Sequence, residues 1–172
     1  MIDKRIKIEI LSPVHFKRVF NYYSLNKKHL EPWGSKRTDD YYTLQYHIDR
    51  CKNRVELMNK KESMHFILLY KLKNIIIGVC NYTHINNIEC RLGYSVAEQY
   101  QGAGMMYQSL LKTNIYMFNN YKINQIISGI IPKNKRSIRL IKRLDFQSTE
   151  KFRDLEVNGK QEPIEIFSLL RK

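Results

Sequence analysis

Charged and apolar residues alternate over residues 5–11, and this period of two predicts a half-buried strand. Ser12 and Pro13 come next, a pair typical of a helix N-cap followed by the first helical residue. The apolar face of that helix consists of Phe16, Val19, Phe20 and Tyr23. The chain is therefore predicted to begin with a strand and an amphipathic helix.

A longer helix is predicted further on, where Thr38 and Asp39 are suited to cap its start. Apolar residues then recur every three or four positions, which indicates one buried helix face. That stripe consists of Tyr41, Leu44, Ile48, Cys51, Val55 and Met58.

Compact apolar runs in the middle of the chain predict strands. Residues 65–70 and 75–85, joined by the polar segment 71–74, are typical of a hairpin, and residues 90–96 predict the next strand. Near the end, Asn158 and Gly159 form the residue pair most typical of a tight hairpin turn between two strands.

Between these regions the pattern predicts a helix over about residues 104–119, a buried strand over 123–131, and a short helix carrying Ile138, Ile141 and Leu144. The resulting order is β-α-α-β-β-β-α-β-α-β-β. It predicts a mixed central sheet of about seven strands with helices on both faces, in the α/β or α+β class. No repeat or Pro/Gly/Ser-rich linker interrupts the pattern, so we expect one domain over residues 1–172.

The net charge of +14 is the unusual bulk property of the chain. Such a charge favours anionic partners, which include nucleic acid, an anionic membrane surface and a polyphosphate ligand. A solvated basic surface without a partner explains the charge equally well, and both interpretations stay open.

The three cysteines, Cys51, Cys80 and Cys90, are widely spaced and odd in number. This spacing argues against a disulfide framework and a zinc site, and it predicts a reduced, cytoplasmic setting without a metal. The longest apolar run is residues 75–80, far short of the roughly 18 residues of a membrane helix, so we expect no membrane span.

Gly102 and Gly104 lie between a predicted strand and a predicted helix. Backbone N–H groups of residues 101–105 would converge at the helix N-terminus, where the helix dipole favours an anion. We expect a phosphate or pyrophosphate there, and a tight turn that only lets the helix pack closely is the alternative. A P-loop is excluded because no G-K-[ST] sequence follows, and the loop lies too late in the chain for a dinucleotide fingerprint.

Residues 99–104, QYQGAG, match motif A of the GNAT acetyltransferases, [QR]-x-x-G-x-[GA], at every fixed position. Over nearly the whole chain, further segments resemble the RimJ/RimL-type ribosomal-protein N-terminal acetyltransferases in the same order, most closely the RimJ alanine branch. These segments are HLEPW (29–33), LGYS (92–95), NKRS (134–137) and NGK (158–160). The resemblance implies the GNAT fold and transfer of an acetyl group from acetyl-CoA to a protein N-terminus, that of a ribosomal protein starting with alanine.

The resemblance also implies a set of site residues. The pyrophosphate of acetyl-CoA would lie on Gln101, Gly102, Ala103, Gly104 and Met105, and its pantetheine arm would run beside Tyr94 and Val96, between strands 92–96 and 126–130. Asn134 matches the family asparagine that contacts the pantetheine or the helix start. Ser137 matches the serine that protonates the leaving thiolate, with a helix cap as the alternative. Trp33 and Tyr94 resemble walls of the substrate groove, with core packing as the alternative.

The chain departs from the family pattern at four positions. Arg91 stands where many relatives have Glu, and Pro163 and Phe167 stand where the last strand commonly has Asp and Tyr. Asp145 replaces a glycine that ends a helix with a positive φ, which Asp tolerates better than most residues.

Amine attack on a thioester requires a neutral amine and a group that stabilises the oxyanion. A backbone N–H near Val96 is the candidate for the oxyanion. Glu162 or Glu89 acting through water is the candidate base, with a surface carboxylate as the alternative.

Two other functions remain open at this point: acetylation of a small amine or aminoacyl compound, and a basic RNA- or ribosome-binding protein with vestigial catalysis. A basic run could meet CoA phosphates, rRNA or only solvent; it consists of Lys133, Lys135, Arg136, Arg139, Lys142 and Arg143. The chain is expected to be a monomer or a homodimer.

Overall fold

A computed structural model describes residues 4–157 and 159–172 of the chain. The strands are β1 (Ile6–Ile10), β2 (Met64–Tyr70), β3 (Ile75–Thr83), β4 (Glu89–Val96), β5 (Gln125–Ile130), β6 (Gln147–Val157) and β7 (Lys160–Leu170). The helices are α1 (Phe16–Leu25), α2 (Lys27–Leu30), α3 (Leu44–Asn59), α4 (Met105–Asn120) and α5 (Lys135–Lys142). The predicted order of elements is confirmed, with α2 added as one further turn of helix.

The strands form one seven-stranded sheet in the order β1-β2-β3-β4-β5-β7-β6. Neighbouring strands are antiparallel except β4 and β5, which are parallel. The predicted mixed sheet is therefore confirmed. Within the described ranges, no helix is both long and apolar enough to span a bilayer.

Helices cover both faces of this sheet, as predicted, because alternate residues of the central strands point to opposite sides. On one face, Phe66 and Leu68 of β2 pack with Leu110 and Met117 of α4 and with Ile141 of α5. On the other face, a second cluster joins the sheet to α1 and α3; its members include Ile67, Leu69, Val79, Val19, Tyr22 and Cys51. The sheet is thus buried on both sides at its centre.

The start of the long helix differs from the prediction. Thr38 and Asp39 begin a short 3-10 turn over Asp39–Tyr42, and α3 starts only after Thr43. The Thr43 hydroxyl accepts a hydrogen bond from the N–H of Tyr46 at 3.2 Å, so Thr43 is the N-cap. Pro13 likewise opens a 3-10 turn rather than the α-helix itself. Both differences arise because a 3-10 turn and a helix N-terminus favour the same polar residues and proline.

The C-terminal hairpin forms as predicted, with Val157 opposite Lys160. Gly159 has a φ of +78°, whereas Asn158 lies outside the described residues. Asp145 has a φ of +66°, which confirms the left-handed conformation that we expected at this position.

Candidate active site

A wedge between β4 and β5 forms the floor of the site. The two strands pair only over residues 89–91 and 125–127, and they separate beyond that point. On its other side β4 stays paired with β3 as far as Val96. The N–H of Ala97, directly after β4, donates to the carbonyl oxygen of Ile77 on β3 at 2.8 Å. Backbone groups point alternately to the two sides of a strand, so the odd-numbered residues of β4 form their backbone hydrogen bonds with β3. The backbone groups of Leu92, Tyr94 and Val96 therefore face the wedge.

The narrow end of the wedge is closed by a side chain. The Ser128 hydroxyl on β5 donates to the carbonyl oxygen of Leu92 at 3.0 Å and replaces the missing strand-to-strand bond. No described residue provides such a partner for the N–H groups of Tyr94 and Val96. Unpaired N–H groups along a cleft are suited to bind the carbonyl groups of an extended ligand.

The glycine loop lies at the other end of the cleft. Gly102 and Gly104 have φ values of +75° and +73°, and Gly104 is the N-cap of α4. The N–H of Gln101 donates to the carbonyl oxygen of Glu98 at 3.1 Å, so this group is already bonded within the loop. Among the described residues no acceptor is found for the N–H groups of residues 102–105. The N–H groups that begin at Gly102 form the cradle in which the predicted anion would lie, and the bonded N–H of Gln101 is not among them.

The glycines are required by backbone conformation more than by space. A Cβ atom added to Gly102 or Gly104 would meet no atom within 4 Å, but both residues occupy the left-handed region that side chains disfavour. Left-handed residues in a turn allow successive N–H groups to converge on one side of the backbone.

The first turn of α5 lies beside the wedge. Asn134 is its N-cap, and its Oδ1 accepts a hydrogen bond from the N–H of Ser137 at 3.1 Å. Ser137 is therefore a residue of the first turn and not the cap, which removes the alternative that it serves as a plain helix cap. Its hydroxyl lies 2.5 Å from the phenolic oxygen of Tyr94 on β4. Burial raises the pKa of the Tyr94 phenol to about 12, and the bond to Ser137 offsets part of this effect.

Basic side chains of α5 and of the residue directly after it line the cleft at helical spacing. Arg136, Arg139 and Arg143 are three and four residues apart and line it together, and the Arg143 guanidinium lies 4.6 Å from the centre of the Tyr107 ring. Lys133 instead pairs with Glu162, with Nζ 3.0 Å from each carboxylate oxygen. Part of the basic run thus contributes to the cleft, and part lies on the outer surface.

The opposite wall comes from α2 and the turn after it. Trp33, 38% exposed, stands at the rim and not in the core. The Nε2 atom of His29 lies 2.7 Å from the side-chain amide of Gln101, which joins this wall to the glycine loop. The N–H of Lys36 donates to the carbonyl oxygen of Glu156 on β6 at 3.2 Å, so the same wall is attached to the last hairpin.

The resulting cleft has a volume of about 420 Å³. It brings together most of the predicted site residues, which are Trp33, Tyr94, Val96, Gln101, Gly102, Gly104, Met105, Asn134 and Ser137. Ala103 lies between the two glycines without lining the cleft, and Glu162 lies outside it in the ion pair with Lys133. Glu89 also lies outside the cleft, where it accepts a hydrogen bond from Gln125. The catalytic roles of Ser137 and Glu162 stay predictions.

Sequence reasoning missed other lining residues, notably His29, Leu30, Tyr100 and Met106. His29 stands in the HLEPW segment, which is the signal that could have identified it. Phe167, where the family resemblance led us to expect Tyr, is fully buried in the core. None of the lining residues, all of which belong to the described part of the chain, is Asp or Glu. In the same ranges no group of three or more His, Cys, Asp or Glu side chains could hold a metal ion.

Similarity to known proteins identifies the family of the chain. A family model described as an acetyltransferase (GNAT) domain matches residues 5–147. The ribosomal protein uS5-alanine N-acetyltransferase of Escherichia coli (strain K12) is 30% identical over 133 residues, 76% of this chain and 69% of that protein. The chain therefore belongs to the GNAT acetyltransferase family, as its motifs predicted.

Two solved structures share the fold closely. The ribosomal-protein-S5-alanine acetyltransferase from Vibrio fischeri has a TM-score of 0.92 and 26% identity, over 99% of this chain and 95% of that chain. A RimL ribosomal alpha-N-protein acetyltransferase in complex with coenzyme A has a TM-score of 0.88 and 17% identity, over 99% and 96%. The likeness to the RimJ/RimL-type enzymes is thereby confirmed.

The geometry of α5 predicts different effects for its two polar residues. Asn134→Ala removes the N-cap bond and should lower the free energy of unfolding by about 1 kcal/mol. Ser137→Ala should cost less, because it leaves the cap intact. Urea denaturation of both variants measures the difference, and a larger loss for Ser137→Ala than for Asn134→Ala would contradict the assignment of the cap.

Proposed function

We propose that this chain transfers the acetyl group of acetyl-CoA to the N-terminal α-amine of a protein, with a ribosomal protein starting with alanine as the expected acceptor. One observation carries the proposal: the anion cradle of the glycine loop and the exposed backbone of the wedge open into the same cleft. A ligand with a pyrophosphate at one end and an amide-containing arm ending in a thioester fits both features at once.

The cleft suits the parts of acetyl-CoA in turn. The free N–H groups of residues 102–105 and the N-terminus of α4 would hold the pyrophosphate, and Arg136, Arg139 and Arg143 would add positive charge. The N–H groups of Tyr94 and Val96 would receive carbonyl oxygens of the pantetheine arm and of the acetyl group. Coenzyme A is also the ligand of the RimL structure of the same fold.

The residues at the wedge then account for the chemistry. The N–H of Val96 would stabilise the negative charge that develops on the acetyl oxygen as the amine attacks. The Ser137 hydroxyl lines the cleft beside the wedge and would protonate the sulfur as the thiol departs. Trp33 and His29 would bound the side from which the acceptor enters.

The charge of the cleft favours an α-amine as the acceptor. No carboxylate lines it, so a base for a strongly protonated amine is missing among its lining residues. An N-terminal amine with a reference pKa of about 8 is roughly one-fifth neutral near pH 7.4, whereas a lysine-like amine is neutral in about one molecule per thousand. A polyamine would in addition be repelled by the arginines. The identity of the acceptor as a ribosomal protein is supported by the Escherichia coli and Vibrio fischeri relatives.

The coenzyme site predicts a specific effect of charge in the glycine loop. Gly102→Glu should weaken acetyl-CoA binding at least tenfold, because a carboxylate would occupy the anion cradle. Gly102→Ala is the matched control, since it introduces the same strain at a φ of +75° without the charge. Calorimetric titration with acetyl-CoA measures both. Equal affinities of the Glu and Ala variants would contradict an anion site at this loop.

The acceptor assignment predicts that peptides with a free N-terminal alanine are acetylated, whereas their N-terminally blocked forms and spermidine are not. The physical reason is the absence of acidic groups from the cleft lining, which leaves protonated amines without a partner. Initial rates with each acceptor at saturating acetyl-CoA measure the preference. Efficient acetylation of spermidine with none of the peptides would favour the small-amine alternative.

We further propose contact with rRNA, because the net charge of +14 and the outward part of the basic run suit a phosphate backbone. The proposal also includes a cytoplasmic location, a single functional domain over residues 1–172, and a monomeric or homodimeric state. The N-terminal tail of a ribosomal protein that is bound to rRNA would be captured through the RNA. A basic enzyme has no electrostatic attraction to a basic protein tail alone.

This docking predicts a salt-dependent advantage of ribosomal particles over the isolated ribosomal protein as acceptor. Each phosphate contact is weakened as salt rises from about 50 to 300 mM, so the ratio of the two initial rates should fall over that range. A short alanine peptide is the control for general effects of salt on the enzyme. A rate ratio that stays at one throughout would remove the rRNA contact and leave peptide acetylation standing.

A further inference from the structure

Tyr94 and Ser137 form a direct connection between the wedge and α5. The Tyr94 phenolic oxygen lies 2.5 Å from the Ser137 hydroxyl and 3.3 Å from the Ser137 carbonyl oxygen. The Ser137 N–H is engaged with Asn134 at 3.1 Å, which fixes the first turn of α5. Among the described residues, Tyr94 is the partner found for the Ser137 hydroxyl. Both side chains line the cleft.

Serine on its own is a poor proton donor to a thiolate. An alkoxide is a much stronger base than a thiolate, whose reference pKa is about 8.5 in cysteine. A serine hydroxyl can therefore give its proton to sulfur only if a second donor supplies a proton to the serine oxygen as it does so. Whether Ser137 has such a second donor depends on the group that is hydrogen-bonded to its hydroxyl.

Tyr94 has the properties of that second donor. Its phenol is held on a strand that is paired with β3 on one side, so its position is set by the sheet. Burial raises its pKa to about 12, so the phenol is fully protonated at neutral pH, and the phenolate it would leave is still a weaker base than a serine alkoxide.

We propose that Tyr94 is a positioning residue of the acetyl transfer, which donates its phenolic hydrogen to the Ser137 oxygen and so turns the Ser137 hydroxyl hydrogen toward the sulfur of the thioester. This inference rests on the proposed function. It assigns to the tyrosine of the LGYS segment a role in the departure of the thiol, in addition to any contact with the substrate.

The proton balance closes without a further reagent. As the carbon–sulfur bond breaks, its electron pair goes to sulfur, and sulfur takes the proton of Ser137. The Tyr94 proton moves onto the Ser137 oxygen in the same event. The acceptor nitrogen loses one proton on becoming an amide, and this proton returns to Tyr94 through water. The products are one amide and one thiol.

The test compares acyl donors that differ in leaving group. Tyr94→Phe and Ser137→Ala should each lower kcat with acetyl-CoA about a hundredfold, the lower range of general acid catalysis. With 4-nitrothiophenyl acetate, whose thiol is far more acidic, kcat/KM should change little, because its thiolate departs unprotonated. A double variant should lose no more than Ser137→Ala alone, because both residues act on one proton.

Two measurements separate this role from a structural one. Calorimetric affinity for acetyl-CoA and the midpoint of urea unfolding should stay near the wild-type values in Tyr94→Phe. Tyr116→Phe is the matched control, since that ring packs on Phe66 away from the cleft and should leave kcat unchanged with both donors.

Three outcomes would overturn the inference: equal losses with both acyl donors, losses that multiply in the double variant, or an unaffected kcat in Tyr94→Phe while Ser137→Ala is impaired. Each of these leaves the proposed acetyl transfer intact, because the wild-type chain is active in the same assay. A wild-type chain that transfers no acetyl group from acetyl-CoA to any N-terminal amine would instead remove the proposed function itself.

Discussion

The early separation of β4 from β5 is the constraint on which the site depends. A parallel pair would normally continue its hydrogen bonds, but here pairing stops after residues 91 and 127. Backbone groups left without partners in a buried position cost about 1–3 kcal/mol each, so they must be satisfied by side chains, water or a ligand. Ser128 satisfies the first of them, and the others open into the cleft. The same separation makes room for α5 to bring its first turn against β4.

The charge of the cleft follows from which face of α5 is turned inward. Ile138, Ile141 and Leu144 pack that helix on the core, and the arginines at positions 136, 139 and 143 are then carried to the cleft. The lining residues of the cleft, all within the described part of the chain, include three arginines and no carboxylate. In the proposed function, this one helix orientation would both favour phosphate groups and disfavour cationic acceptors.

Local capping also decides which group the Ser137 hydroxyl contacts. Because Asn134 caps α5, the Ser137 hydroxyl is released from the capping role that its sequence context would also allow. It is then free to meet Tyr94, which approaches from a different element 43 residues earlier in the chain. Two hydrogen bonds, one local and one between elements, thus fix a single hydroxyl group beside the wedge.

Short-range patterns by themselves determined the order of the elements and the place of the glycine loop. The first depends on the period of apolar residues, and the second on a backbone conformation that few residues tolerate. Both can be recognised from residues that are close together in the sequence. The tertiary structure alone decided that Gln101 uses its N–H within the loop while its side chain meets His29, and that Glu162 pairs with Lys133 outside the cleft. It also decided that α3 begins at Thr43 and not at Thr38, since both residues suit a cap. Contacts between distant residues depend on strand register and helix orientation, which no local pattern specifies.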